Sequence, residues 1–127
     1  MIWNLISQLR AGADIQYVLP GILFTLIVVL FSLSFHEMSH AYIAYKLGDP
    51  TAHSLGRITL APNKHLDLIG TISMLLFGFG WAKPVPVNAR YFKKPKRDMA
   101  LTSIAGPVSN LLIAFIALLL LKITGAF

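Results

Sequence analysis

Leu23-Phe24-Thr25-Leu26-Ile27-Val28-Val29-Leu30-Phe31 is apolar on every face of a helix, and five residues later the same run carries His36-Glu37-Met38-Ser39-His40. A segment that is hydrophobic all round belongs in lipid or deep in a large core. The composition points to lipid: 56% hydrophobic and 13% charged, where soluble domains carry about 25% charged residues. The mean hydropathy is +0.69. This excludes a disordered chain, a nucleic-acid-binding tail and an ordinary cytosolic domain. From Ile15 to Tyr45 the charged or readily titrating side chains are His36, Glu37 and His40. The pattern predicts one long helix from about Tyr17 to Leu47. At ~1.5 Å per residue it exceeds the ~30 Å hydrocarbon layer, so it tilts or projects. Tyr42, Tyr45 and Lys46 suit an interfacial belt at its end. Gly48 suits the residue after the cap, and Pro50 stops the helix.

Upstream, residues 1–14 are mixed, with Arg10 and Asp14 as charges, and do not read as a cleavable leader. Downstream, Arg57-Ile58-Thr59-Leu60 alternates polar and apolar, which predicts a short strand ended by Pro62. Asp67 is placed to cap an apolar segment, Leu68 to Phe79, whose length favours a re-entrant piece over a full span. Trp81 suits an interfacial anchor, and Lys83-Pro84-Val85-Pro86-Val87-Asn88 reads as extended. A basic run follows, Arg90, Lys93, Lys94, Lys96 and Arg97, and then a second apolar span from Met99 to Leu121. The expected fold is an all-α membrane protein. It has two long transmembrane helices, a short re-entrant or third membrane segment and a small β element, in one domain over 1–127.

Charge distribution orients this arrangement. The stretch from Lys46 to Asp98 holds nine Lys/Arg and three Asp, which is the whole net charge of +6. With 68–79 re-entrant, the positive-inside rule places this stretch, including the basic segment 90–97, in the cytoplasm and the N-terminus outside. A true span there would leave 81–98 cytoplasmic and bring the N-terminus inside. Headgroup contact is the expected role of 90–97; nucleic acid is not an expected partner. There is no cysteine, so thiol nucleophiles, disulfides and cysteine metal sites are excluded.

His36-Glu37-Met38-Ser39-His40 has the spacing H-E-x-x-H. On a helix its two histidines lie one turn apart on one face, and the glutamate beside them reaches a metal-bound water as general base. Zinc suits such a site, being redox-inert, tetrahedral with nitrogen ligands and able to bring the pKa of water to about 7. The alternative is a polar helix–helix contact. Ionisable groups about 9–15 Å from the interfacial Lys46 along the helix need a partner, which favours the metal. A catalytic zinc usually takes three protein ligands, and this chain offers two evident ones. Asp14, Asp49, His53, His65 and Asp67 are weaker candidates for the third, since capping and interfacial roles are commoner for them.

Taken with Gly48-Asp49-Pro50-Thr51-Ala52, Gly56-Arg57-Ile58-Thr59-Leu60, Lys64-His65-Leu66-Asp67, Gly78-Phe79-Gly80-Trp81-Ala82-Lys83-Pro84-Val85-Pro86-Val87-Asn88 and Ala105-Gly106-Pro107-Val108-Ser109-Asn110, the motif resembles the bacterial site-2 protease family. The resemblance covers nearly all of the chain and corresponds to the N-terminal part of such a protein. It implies intramembrane zinc metalloproteolysis of transmembrane protein substrates in the plasma (inner) membrane, with His36 and His40 as zinc ligands and Glu37 as catalytic base. It also implies a third ligand, an aspartate in an Asn-x-x-Pro…Asp-Gly motif on a later helix, which this sequence lacks. The expectation is therefore an incomplete domain. The alternatives are an inactive fragment or relative that binds membrane partners without proteolysis, and a metal-binding membrane subunit whose missing ligand comes from another chain.

Ser103, Gly106, Asn110, Ala114 and Ala117 recur at helical spacing in the second span, a small-residue stripe suited to packing against the His-Glu helix. Asn110 is a candidate for an oxyanion role or for helix packing. Arg57, Ile58, Thr59, Val85 and Val87 are candidate contacts for an unwound substrate strand, because a helical substrate presents no free carbonyl.

Overall fold

The computed structural model describes residues 1–126, and its order of elements is five α-helices joined by turns and extended chain. Helix α1, Ile2–Arg10, is followed by α2, Ile15–Lys46. Asp14 caps α2 by accepting from the Gln16 backbone N–H at 3.2 Å, which satisfies one of the orphan donors of a helix start. Gly48, at φ +109°, follows the end of α2 and supplies the left-handed residue that lets the chain turn away. Pro50 then caps a single further turn, α3, Thr51–Ser54.

Asp67 caps α4, Leu68–Phe77, by accepting from Gly70 N–H at 2.8 Å. Ten residues make about 15 Å of helix, half of a bilayer core. Gly78, at φ +82°, reverses the chain, and residues 79–82 run back along α4. A Cβ on Gly70 would overlap the Trp81 carbonyl, and one on Gly80 would overlap the Gly70 carbonyl. The return ends at an antiparallel bridge between Leu66 and Ala82, reinforced by Lys83 N–H donating to His65 C=O at 2.7 Å. The segment thus leaves and comes back at one level, with Leu68, Ile69, Phe77 and Phe79 exposed on its outside.

Helix α5, Pro95–Ile123, packs antiparallel on the C-terminal half of α2. Asp98 ties down its start, accepting from Lys94 N–H at 3.2 Å and pairing with Arg97 at 2.8 Å. Both α2 and α5 are long and apolar enough to cross a membrane. Their outer faces are bare, with Phe24, Ile27, Leu111, Phe115 and Leu120 among the exposed side chains. The buried hydrophobic interior is small, Ala41, Ala44, Ala52 and Phe92. Aqueous folding relies on large apolar burial; here lipid would solvate the apolar exterior instead.

The expected small β element is not found. Among the described residues there is no strand, only the single Leu66–Ala82 bridge. Residues 58 and 59 form bends, and the Arg57 guanidinium, rather than its main chain, joins this stretch to 83–84. A ladder there is also discouraged by Pro84 and Pro86, which have no N–H to contribute. The small-residue stripe of α5 serves packing only in part. Gly106 is buried and Asn110 half-buried against α2, whereas Ala114 and Ala117 are exposed.

Candidate functional site

His36 and His40 lie one turn apart on α2, and α5 meets them with residues spaced four apart: Thr102, Gly106 and Asn110. His40 Nδ1 donates to the Thr102 carbonyl at 2.7 Å. That bond fixes the tautomer in which Nε2 keeps its lone pair. The His36 Nδ1 faces the Asn110 side-chain amide at 3.0 Å. Between these tethers, a Cβ on Gly106 would overlap Nε2 of both rings. The absence of a side chain there is what lets both imidazoles press against the α5 backbone with their Nε2 atoms bordering one point. The rings stand edge to face, centroids 4.7 Å apart.

The orientation of the Asn110 amide carries further information. As placed, its Nδ2 donates to His36 Nδ1, while its Oδ1 is buried with no hydrogen-bond partner. Oxygen and nitrogen of an amide are exchanged by a half-turn about the last side-chain bond. After that half-turn Oδ1 accepts from an Nδ1–H of His36, and His36 Nε2 gains the free lone pair that His40 already has.

Glu37 and His40 line a cleft of about 600 Å³. Its other walls include Trp81, Pro84, Val85 and Val87 from the return segment, and Met99, Thr102 and Ser103 from α5. Among the described residues no hydrogen bond or ion pair engages the Glu37 carboxylate. It is therefore free to take a proton from a molecule in the cleft.

Of the candidate substrate contacts, the structure brings Val85 and Val87 to the cleft and leaves out Arg57, Ile58 and Thr59. Arg57 is buried and bonds main-chain carbonyls, and the Thr59 carbonyl accepts from His65 Nε2 at 2.6 Å. None of the weaker third-ligand candidates reaches the histidine pair. Asp14 and Asp67 cap helices, and His53 stacks on Tyr45 at 4.3 Å. His65 and Asp49 are fully buried in bonds of their own. Among the described residues no third His, Cys, Asp or Glu joins the pair. Two tethered imidazoles with converging Nε2 atoms fit two positions of a zinc set, and their second-nitrogen bonds are the usual support of such ligands. Thr102 went unrecognised in the sequence because it acts through its carbonyl, which every residue type possesses.

The profile of peptidase family M50 matches residues 24–126. The chain is 56% identical over 109 residues to the "Putative zinc metalloprotease YwhC" of Bacillus subtilis, covering 86% of this chain and 48% of that one. It is 35% identical over 106 residues to the "Putative zinc metalloprotease Rip2" of Mycolicibacterium smegmatis, covering 77% and 38%. It is 30% identical over 116 residues to the protein of the same name in Mycobacterium tuberculosis, covering 85% and 44%. The chain thus spans less than half the length of these curated relatives. No solved structure shows significant similarity to it.

Proposed function

The chain belongs to peptidase family M50, and from that premise we propose that it carries the His-Glu part of a zinc-dependent intramembrane endopeptidase of the site-2 protease type. The observation that carries this reading is the convergence of the His36 and His40 Nε2 atoms at Gly106, with Glu37 lining the cleft beside them. His36 and His40 would hold the zinc. When bound, zinc supplies Lewis acidity, which makes water ionisable near pH 7 and polarises a carbonyl.

The chain's own residues do the rest. The Thr102 carbonyl and the Asn110 amide hold the two rings in the tautomer that ligates, with the Asn110 oxygen turned toward His36. Glu37 takes a proton from water in the cleft and returns it to the leaving amine. Val85 and Val87 offer main-chain groups to a substrate unwound from its helix, whose carbonyls are otherwise occupied. Transmembrane protein segments are the substrate class and membrane lipid the surrounding partner. Helices α2 and α5 span the plasma membrane, 66–82 re-enters it, and the basic segment 90–97 faces the cytoplasm. The third ligand comes from a segment outside residues 1–126 or from another chain.

The decisive experiment is cleavage of a transmembrane substrate by the full-length protein with and without Glu37→Gln. Lost cleavage with zinc content retained supports the enzyme, and unchanged cleavage refutes it. The lack of a third ligand among the described residues favours a second reading, a membrane-partner binder without proteolysis. A full-length protein that holds no stoichiometric zinc would select it.

A further inference from the structure

Two buried charges stand outside the histidine pair. Asp49 is fully buried and Arg57 is 9% exposed. Neither has an oppositely charged side chain within ion-pair distance among the described residues. A buried ion without a counter-ion is costly unless hydrogen bonds satisfy it. Both of these ions spend hydrogen bonds on the main chain of one segment, residues 83–88. Arg57 Nη2 donates to the Lys83 carbonyl at 2.8 Å and Nη1 to the Pro84 carbonyl at 3.2 Å. At the other end Asp49 Oδ2 accepts from the Asn88 N–H at 2.7 Å.

The segment between these grips is extended. Lys83 and Val85 precede prolines, which drives them out of the helical region, and Asn88 has φ −116° and ψ 106°. Arg57 draws the neighbouring 83 and 84 carbonyls to itself; beyond them, extended backbone directs the main-chain groups of residues 86 and 88 to one edge and those of 85 and 87 to the other. On the first edge Asp49 takes the Asn88 N–H, and Pro86 has no N–H. On the second edge the Val85 and Val87 N–H groups bond nothing among the described residues. Val85 and Val87, with Pro84, line the cleft beside Glu37.

We propose that Asp49 and Arg57 are positioning residues that hold residues 83–88 from both ends, so that the Val85–Val87 edge stands ready for an extended peptide. The geometry at Asp49 separates this role from simple capping. Its Oδ1 accepts from Thr51 N–H at 3.0 Å and from the Thr51 hydroxyl. An asparagine would serve that cap as well. What the carboxylate adds is a second acceptor, and that acceptor reaches Asn88. Gly48 lets this corner close, since a Cβ there would already stand 3.1 Å from the Tyr91 carbonyl. The proposal rests on the reading of the cleft as a peptide site, and bracing can be tested apart from that reading.

The test is residue-resolved hydrogen exchange and cleavage kinetics on the full-length protein in bicelles, for Asp49→Asn, Arg57→Lys and Thr51→Val. Asp49→Asn keeps the cap and loses the Asn88 acceptor. A hydrogen bond to a charged group is strong enough that its loss speeds exchange of the Asn88 amide on the order of tenfold. KM for a transmembrane peptide rises on the order of tenfold, with kcat and zinc content held. Arg57→Lys, which reaches one carbonyl in place of two, moves both readouts the same way and decides the matter if Asp49→Asn does not fold. Thr51→Val moves neither. Unchanged exchange at Asn88 in Asp49→Asn overturns the proposal, as does a fall in kcat at constant KM or an equal effect from Thr51→Val. If the wild-type protein cleaves nothing, the peptidase reading fails, while the exchange data still decide whether the segment is braced.

Discussion

Gly106→Ala puts one methyl group where α5 touches both imidazoles. The added Cβ would overlap His36 Nε2, His40 Nε2 and the carbon next to His36 Nε2. Reaching ordinary van der Waals separation takes a displacement of about 1 Å. The rings are not free to give way. His40 is tethered to the Thr102 carbonyl at 2.7 Å and His36 to Asn110 at 3.0 Å. Retreat by that distance stretches both contacts past the limit of a hydrogen bond. The alternative is to push α5 away from α2, an overpacking strain of about 1–3 kcal/mol. Either route moves the Nε2 atoms, and disturbed support of metal-ligating histidines costs about 10–100-fold in metal affinity. The expected result in the full-length protein is zinc affinity lower by about that factor and a destabilisation of about 1–3 kcal/mol. Competition with a chromophoric chelator and thermal unfolding in detergent measure the two. Gly21→Ala is the control, since nothing lies within 4 Å of the added methyl; it stabilises α2 by a few tenths to about 1 kcal/mol. Wild-type zinc affinity and melting temperature in Gly106→Ala would refute the convergence of the rings at this glycine.

Asn110→Leu removes the only side-chain partner of His36 Nδ1 found among the described residues; zinc affinity should fall about 10–100-fold, with Asn110→Asp recovering part of it, and equal affinities in all three proteins would remove Asn110 from the site. Gly80→Ala forces a methyl group onto the Gly70 carbonyl; limited proteolysis should then open the 66–82 hairpin, and unchanged protease resistance would contradict the close return. Asp67→Ala deletes the cap of α4, a loss of about 1 kcal/mol that lowers the melting temperature without changing zinc content.

The helices were legible because their signals are local. Asp14 and Asp67 precede apolar runs, Gly48 and Pro50 follow one, and the observed α2 and α4 begin and end within about two residues of those marks. The strand expected at 57–60 failed for a non-local reason. Alternation of four residues says nothing about whether a partner edge exists. The facing segment at 83–84 is held through an arginine side chain rather than a ladder. The bracing bonds of Arg57 and Asp49 have no signature in the sequence, because their partners are main-chain atoms 26 to 39 residues away.

By itself the sequence determined that the chain is apolar enough for lipid, that two long helices form, and that one of them carries two imidazoles and a carboxylate on neighbouring positions. Composition, capping and the 3.6-residue period are properties of neighbouring residues, so they can be read one segment at a time. Only the tertiary structure decided which face of α5 meets those imidazoles, that the Thr102 carbonyl and Asn110 tether them, and that Val85 and Val87, but not residues 57–59, border Glu37. Contacts between residues 62 and 74 positions apart depend on how two helices rotate against each other, and that rotation is set by packing, here the missing side chain of Gly106, rather than by any local pattern.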